Sequence, residues 1–361
     1  MDRYYRIFSE FDIDDKAVGI QKWGYGHINR TLLVDTAKGD QYIMQMINKY
    51  VFTEPDKVMH NIMKVTEYLK RQIEEEGGDP GRETLNVIMT RDGKNLYWDD
   101  EGEPWRVYTY VRNSISYERV RSNEDFYYAG SAFGNFAKRL IDFPADELYE
   151  TIPKFHDMPD RYHNFDVAVE EDRSGRAKNV QREIEMAQSF RQYAWEFFER
   201  EQKGELFNRV THNDTKPNNI LYDKDTNRPI CIVDLDTVMP GLIANDFANS
   251  IRFGANRVAE DARNYEDAGI DLELYRLYTK GYLDECGSVL TDIEKEMLPV
   301  GARMMTIENA IRFLGDYLDG DLYFSTEYPE HNLSRARTQL WLAKDMIENW
   351  DEMQDILHEL I

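Results

Sequence analysis

The sequence predicts an α+β fold of two unequal lobes, a β-rich amino-terminal lobe and a mainly helical carboxy-terminal one. Three observations predict it. β-prone apolar runs separated by turn residues fill residues 1–110, whereas helical periodicity prevails beyond residue 112. One β-like island, residues 208–236, interrupts the helical part. A chain of 361 residues is also too long for one small core and suits two. Strands segregated from helices make the α+β pattern, with lobes expected at 1–110 and 113–361.

The elements follow in order. Residues 17–23 (AVGIQKW) read as a strand, and GYGHIN at 24–29 follows it. Thr31–Val34 and Tyr42–Ile47 are β-prone runs joined by turn chemistry at 35–40, which predicts a hairpin. Residues 55–75 place Val58, Ile62, Val65 and Leu69 on one helical face, and 74–81 (EEEGGDPG) reads as a loop. Leu85–Thr90 and Asn95–Trp98 flank Arg91–Lys94, a second hairpin signal, and 105–111 (WRVYTYV) closes the β-rich part. Small and aromatic residues then recur at helical spacing over 123–141. Residues 178–200 carry Val180, Ile184, Ala187, Tyr193 and Phe197 on one stripe, the charges between them forming a solvated face. Helices are also predicted over 272–286, 290–318 and 334–358.

Composition narrows the function. The formal net charge is −24 and the pI about 4.7. Such a chain is repelled by nucleic-acid backbones and anionic lipid surfaces, so neither is an expected partner. Cys231 and Cys286 are the two cysteines, with no CxxC or Cys/His cluster, which disfavours a zinc site or a disulfide framework. The segment MDRYYRIFSEFDIDDK lacks an apolar core, and no apolar run is long enough to span a membrane; a cytoplasmic location is the expectation.

Chemistry concentrates in the island, RVTHNDTKPNNILYDKDTNRPICIVDLDTVMPG at 209–241. Ile220–Tyr222 and Ile230–Val233 flank a polar turn at 223–227, and a hairpin there brings His212, Asp214 and Asn219 toward Asp234 and Asp236. Phosphoryl transfer needs a carboxylate to orient the acceptor hydroxyl and oxygen ligands for magnesium. Asp214 suits the first task, and Asn219 and Asp234 the second. His212 alone reads as a loop brace, and Asp234-Leu235-Asp236 alone is a weak signal. The full spacing H-x-D-x(4)-N, followed by a strand ending in V-D, is far more specific.

That segment resembles the catalytic loop and metal-binding strand of the aminoglycoside phosphotransferase and choline kinase family, which has a protein-kinase-like two-lobed fold. The resemblance implies Asp214 as catalytic base, Asn219 and Asp234 as Mg²⁺ ligands, Asp236 as a further metal residue that supports these ligands or binds another ion, and structural roles for His212 and for Asp246 in NDFAN. Within the family the chain is most similar to bacterial N-acetylhexosamine 1-kinases. GYGHINRTLLV, WRVYTYV, SAFGNF, FHDMPDR, THNDTKPNNIL, DLDTVMPG, SIRFGA, IRFLGDYLDGDLYF and YPEHNLSRARTQ carry that similarity along nearly the whole chain. It implies ATP as the phosphoryl donor and an N-acetylhexosamine as the acceptor.

Gly24 and Gly26 either make a tight hairpin or lay backbone N–H groups over nucleotide phosphates. With the resemblance, Gly24, Gly26, Ile28, Asn29, Arg30 and Gln45 are expected at the nucleotide, and His27 at the sugar. No Walker A motif exists. Many members of the wider family hold the α- and β-phosphates with a third-strand lysine, whereas YIMQMIN puts Gln45 there, leaving Lys49, Arg30 and the metal as candidate charge partners. Phe253, Arg312, Asp316 and Tyr323 are the implied sugar residues, although Phe253, Tyr317 and Tyr323 equally suit helix packing. The alternatives are a kinase of another small alcohol (an aminoglycoside, choline or another sugar) and a non-catalytic pseudokinase sensor, which Gln45 weakly favours.

Overall fold

The computed structural model of the chain describes residues 2–24 and 28–361. The fold is α+β. Contacts divide the chain into two compact units. One comprises Met1–Ser116, Asp142–Ile152 and Ile220–Pro240, and the other Tyr117–Ile141, Pro153–Asn219 and Gly241–Ile361.

The first unit opens with a helix the apolar pattern does not announce, α1 (Asp2–Ser9). Strands β1 (Ala17–Lys22), β2 (Arg30–Thr36) and β3 (Gln41–Met46) follow, then α2 (Pro55–Glu75) and the single turn α3 (Pro80–Glu83). Next come β4 (Val87–Ile88), β5 (Tyr97–Trp98), β6 (Pro104–Thr109) and β7 (Ser114–Ile115). The main sheet runs β1-β2-β3-β6-β4, with β5 also on β6. The hairpin of β2 and β3 is present. Residues 85–98 differ from the expected hairpin. Thr90 and Lys94 do close a turn, the Thr90 N–H donating to the Lys94 carbonyl at 2.7 Å. The flanking strands, however, each pair with β6 and not with each other, because the longer β6, buried from Pro104 to Tyr108, offers both a better ladder.

Side-chain alternation gives this sheet two faces. Leu32, Val34, Met44, Trp105 and Val107 pack with Ile7, Phe8 and Phe11 in one core. Thr31, Gln45 and Arg106, aligned across three strands, take the opposite face. Helix α2 carries its predicted stripe, with Val58, Ile62, Val65 and Leu69 all buried. Its fully buried Asn61 donates to the carbonyls of Tyr149 (2.8 Å) and Val238 (2.9 Å) and accepts from the Tyr149 N–H (2.9 Å). One amide therefore ties residues 142–152 and the 230s segment to the helix.

Helices α4 (Asn123–Arg139), α5 (Met158–Glu171), α6 (Gln181–Ser189) and α7 (Arg191–Gln202) come next. The stripe read as one helix over 178–200 is thus two, divided at Phe190. Strand β8 (Arg209–Thr211) precedes β9 (Ile220–Asp223) and β10 (Pro229–Ile232). These last two form the predicted hairpin, Ile220 opposite Ile232 and Cys231 opposite Leu221, and belong to the first unit. The remaining elements are β11 (Met239–Gly241), α8 (Ile243–Gly254), α9 (Leu272–Cys286), α10 (Asp292–Asp319), α11 (His331–Glu348) and α12 (Trp350–Leu360). The helix predicted at 334–358 is likewise two, parted at Asn349. Helix α10 starts at a capping box of Thr291 and Glu294, ends at Gly320 (φ +101°), and is buried around most of its surface. Among the described residues no helix is long and apolar enough to cross a membrane.

Candidate active site

In the second unit, the loop after β8 is set by α8. The Asp246 carboxylate accepts the backbone N–H groups of His212 (2.8 Å) and Asn213 (2.7 Å). Asn213 stands at φ +65°, a left-handed conformation that those bonds hold in place. The Thr215 hydroxyl donates to the Asp246 carbonyl (2.6 Å), and Ser250 donates to the Thr215 carbonyl (2.7 Å). Burial pushes the Asp246 carboxyl above its ordinary range, against the pull of His212 and the two backbone donors. His212 is fully buried, edge-on to Phe133 and Phe136, and its Nδ1 accepts the Asp214 N–H at 3.2 Å. It braces the loop.

Asp214 follows on this loop. Its side chain is 27% exposed, and its Oδ1 lies 3.0 Å from Lys216 Nζ. The Asn219 amide donates to the Asp214 carbonyl (2.8 Å) and to its Oδ2 (3.3 Å). Burial alone would raise the Asp214 carboxyl. The Lys216 ammonium, His212 and Asn219 outweigh it and hold the group below its usual range, while Asp214 raises Lys216 in turn. Asp214 is therefore an ionised hydrogen-bond acceptor at neutral pH. Lys216 escaped the sequence reading, although its place two residues after the aspartate was the available signal. With its amide nitrogen turned to Asp214, Asn219 directs a neutral oxygen elsewhere, a hard donor suited to Mg²⁺.

In the first unit, β10 leads into Asp234 at φ +62° and a single 3-10 turn, Leu235–Thr237. Asp236, 3% exposed, has both carboxylate oxygens engaged: Oδ1 lies 2.5 Å from Arg106 Nη1, and Oδ2 accepts the Asn29 amide. These partners make Asp236 a holder of Arg106 and Asn29. Asn29 also accepts the Asn48 N–H at 3.0 Å. Gln45 donates to Thr31 Oγ1 (2.9 Å) and accepts from Nε (3.1 Å) and Nη2 (3.0 Å) of Arg106. Of the other cations considered, Lys49 is spent on Glu103 (3.1 Å) and the Gly102 carbonyl, and exposed Arg30 donates to the Tyr4 hydroxyl. Gly24 takes φ +72°, and Ile28 is exposed. Gly26 and His27 lie outside the described residues. Among the described residues no cluster of three or more His, Cys, Asp or Glu side chains is gathered. Carboxylate and amide oxygens such as those of Asp234 and Asn219 suit magnesium, which retains water and phosphate ligands, better than zinc.

The residues read as sugar-binding sit in the second unit and play unequal parts. Arg312 lies near the rings of Tyr323 (6.0 Å) and Phe324 (5.4 Å). Tyr323 is 73% exposed. Asp316 faces inward, accepting the N–H groups of Leu322, Tyr323 and Phe324 and the Asn332 amide at 2.8–2.9 Å, so it shapes the loop that presents Tyr323. Phe253 is half-buried near the end of α8 and has no ring contact with that group. Beneath Arg312 lies fully buried Glu308, with His156 Nδ1 at 2.8 Å, Arg161 Nε at 3.4 Å and Arg312 Nη1 at 3.5 Å. Burial opposes its ionisation, yet His156, Arg312 and Arg161 hold the carboxyl at about 2.

A family profile described as the phosphotransferase enzyme family (APH) matches residues 20–278, well over half the chain. Solved structures agree in fold. A microcompartment-associated aminopropanol kinase is 16% identical with a TM-score of 0.67, covering 96% of this chain and 97% of that one. An amicoumacin kinase solved with AMP-PNP and Ca²⁺ is 11% identical, TM-score 0.57, covering 95% and 92%. An ethanolamine kinase of Plasmodium vivax is 13% identical, TM-score 0.51, covering 89% and 82%. The ionised aspartate on its braced loop, the α+β architecture and the profile match agree: this chain belongs to the phosphotransferase enzyme family, with its protein-kinase-like fold.

Proposed function

We propose that the chain is an ATP-dependent N-acetylhexosamine 1-kinase, converting N-acetylglucosamine or N-acetylgalactosamine and ATP to the sugar 1-phosphate and ADP. The observation that carries the phosphotransfer is Asp214: an ionised carboxylate on a loop fixed through Asp246, with Lys216 and Asn219 as its partners. Asp214 accepts a hydrogen bond from the anomeric hydroxyl and aims its oxygen at the γ-phosphorus. A bond forms from that oxygen to phosphorus, the bond from phosphorus to the β-bridging oxygen breaks, ADP leaves, and the hydroxyl proton passes to Asp214. Asn219 and Asp234 are the proposed ligands of Mg²⁺, which when bound offsets the charge on the phosphoryl oxygens. Residues 1–110 would serve the nucleotide through Gly24, Ile28, Asn29 and Gln45, and 113–361 the acceptor.

Charge supports a neutral acceptor. Glu308 and Glu260 are each outnumbered by cations, Arg161 and Arg312 about the first and Arg252, Lys216 and Arg335 about the second. Such surroundings disfavour a cationic alcohol such as choline and suit a neutral polyol whose product is an anion. Arg312 and Tyr323 supply the planar donor and the aromatic face that a hexose ring uses, and Asp316 positions Tyr323.

ADP release with Mg·ATP across N-acetylglucosamine, N-acetylgalactosamine, glucose, choline and kanamycin tests the reading. Turnover is expected with the two N-acetylated sugars and is expected to fall on the order of a thousandfold in Asp214→Asn. Turnover with choline or kanamycin alone would refute the acceptor, and an unchanged kcat in Asp214→Asn would refute the base.

A further inference from the structure

Kinases of this fold hold the triphosphate with a lysine on the third strand, where this chain has uncharged Gln45. The register of β3 on β6 sets Arg106 directly opposite Gln45. Arg106 is 1% exposed. Its fork is fully used within the sheet-bearing unit: Nε and Nη2 donate to Gln45 Oε1, and Nη1 reaches Asp236 Oδ1 at 2.5 Å. Helix α2 presents Met59 to the guanidinium, its sulfur 3.8 Å from Nη1, so the carboxylate partner comes from the 230s segment and not from the helix. A guanidinium so deeply buried persists only where paired acceptors offset its desolvation.

Two residues along the same face of β6 stands Tyr108, whose ring is 5.2 Å from the guanidinium carbon. Its hydroxyl is buried and has no hydrogen-bond partner among the described residues. That unused polar group borders the same ion pair and points to a polar ligand there. The fields of Asp236 and Asp234 both act on the Arg106–Tyr108 pair.

We propose that Arg106 is the cation that stands in for the third-strand lysine, a positioning residue that balances the charge of the Asp234–Asp236 segment and orients Gln45 and Asp236 for the Mg·nucleotide. The assignment rests on the kinase reading. Two carboxylates two residues apart, Asp234 and Asp236, would otherwise meet a polyphosphate with like charge, and Arg106 offsets one of them. A guanidinium can serve two acceptors at once, Gln45 with one edge and Asp236 with the other, whereas an ammonium is a single point charge. Lys49 and Arg30 are committed to other partners.

The test is Mg·ADP binding by titration calorimetry, with thermal unfolding in parallel, on the full chain and three variants. Arg106→Met is expected to raise the Kd by about tenfold or more. Arg106→Met with Asp236→Asn, which removes both buried charges, is expected to recover the melting temperature lost in the single variant but not the affinity. Gln45→Lys with Arg106→Met moves the cation across the ladder and is expected to recover much of the affinity. A merely structural arginine has no such rescue. A folded Arg106→Met that binds Mg·ADP like the parent overturns the assignment while leaving the kinase reading intact. So does a folded Gln45→Lys, Arg106→Met protein that binds as weakly as Arg106→Met. A parent chain that binds no Mg·ADP overturns the kinase reading and the assignment together.

Discussion

Asp214 shows how neighbouring groups set the working state of one carboxylate. Burial raises its affinity for a proton, and the Lys216 ammonium, with His212 and Asn219, lowers it further than burial raises it. The folded value lies below the ordinary one, so the ionised form persists as pH falls through the usual carboxylate range of about 4. The acidic limb of kcat/KM is therefore expected below that range. Lys216→Met removes the principal opposing charge and leaves the burial, so the limb is expected to move to higher pH, toward neutrality. A pH profile in which Lys216→Met and the parent share one acidic limb would deny Lys216 that role. At this scale the motif was legible because its spacing is local, Asp214 and Asn219 lying five residues apart. Arg106 was not. Its meaning depends on lying opposite Gln45 in the register, 61 residues away in sequence, and in sequence it is one polar residue in an apolar strand.

Among the elements, the contact of α4 with α9 is made by glycines. A Cβ on Gly281 would stand 2.1 Å from the Tyr127 carbonyl oxygen, one on Gly130 2.3 Å from that of Tyr278, and one on Gly134 2.5 Å from that of Tyr282. All three meet backbone, which cannot swing aside as a side chain does. Gly281→Ala is expected to destabilise the fold by about 1–3 kcal/mol, overpacking outweighing the gain in helix propensity. Gly315 on α10 is the control: its nearest neighbours, Ala168 Cβ and Phe165 Cδ2, would be 3.8 Å away. Gly315→Ala is expected to be neutral or to stabilise by about 0.5–1 kcal/mol. Melting curves of the two variants decide it, and a Gly281→Ala protein as stable as the parent would show that the helices can part at little cost. Long periodic helices such as α2 were legible from their apolar stripe. Helix α8 was not, because its buried faces hold Asn245, Asp246, Asn249, Ser250 and Arg252, polar residues that hydrophobic periodicity cannot register. The excursion of 142–152 into the sheet-bearing unit had no signal either, since Asn61 holds Tyr149 by its backbone.

For the whole molecule, two opposing electrostatic effects set the dependence of stability on pH and salt. At pH 7 the formal net charge of −24 repels itself across the surface. That repulsion weakens as pH falls toward the pI near 4.7. The buried acids act in the opposite sense. Burial opposes the ionisation of all three, yet Glu308 is held at about 2 by His156 with Arg312 and Arg161, and Glu260 and Glu294 are held below their ordinary value, chiefly by Arg252 and Arg209 respectively. A carboxyl whose folded value is depressed contributes stability above its unfolded value, and loses it as pH falls through the folded one. For Glu308 that window runs from about 4 to about 2. The melting temperature is therefore expected to hold or rise from pH 7 to about 5, then to drop steeply below about 4. Salt separates the two effects. At pH 7, raising NaCl from about 20 mM to about 200 mM shortens the screening length and should raise the melting temperature. Near the pI the same addition should have little effect, because the net repulsion is gone while the buried pairs are shielded from ions. Calorimetric scans over this grid of pH and salt are the measurement. A melting temperature that falls with salt at pH 7 would mean that exposed ion pairs, such as Arg3 with Glu101 and Arg276 with Glu359, contribute more to holding the chain together than its net acidity does to loosening it.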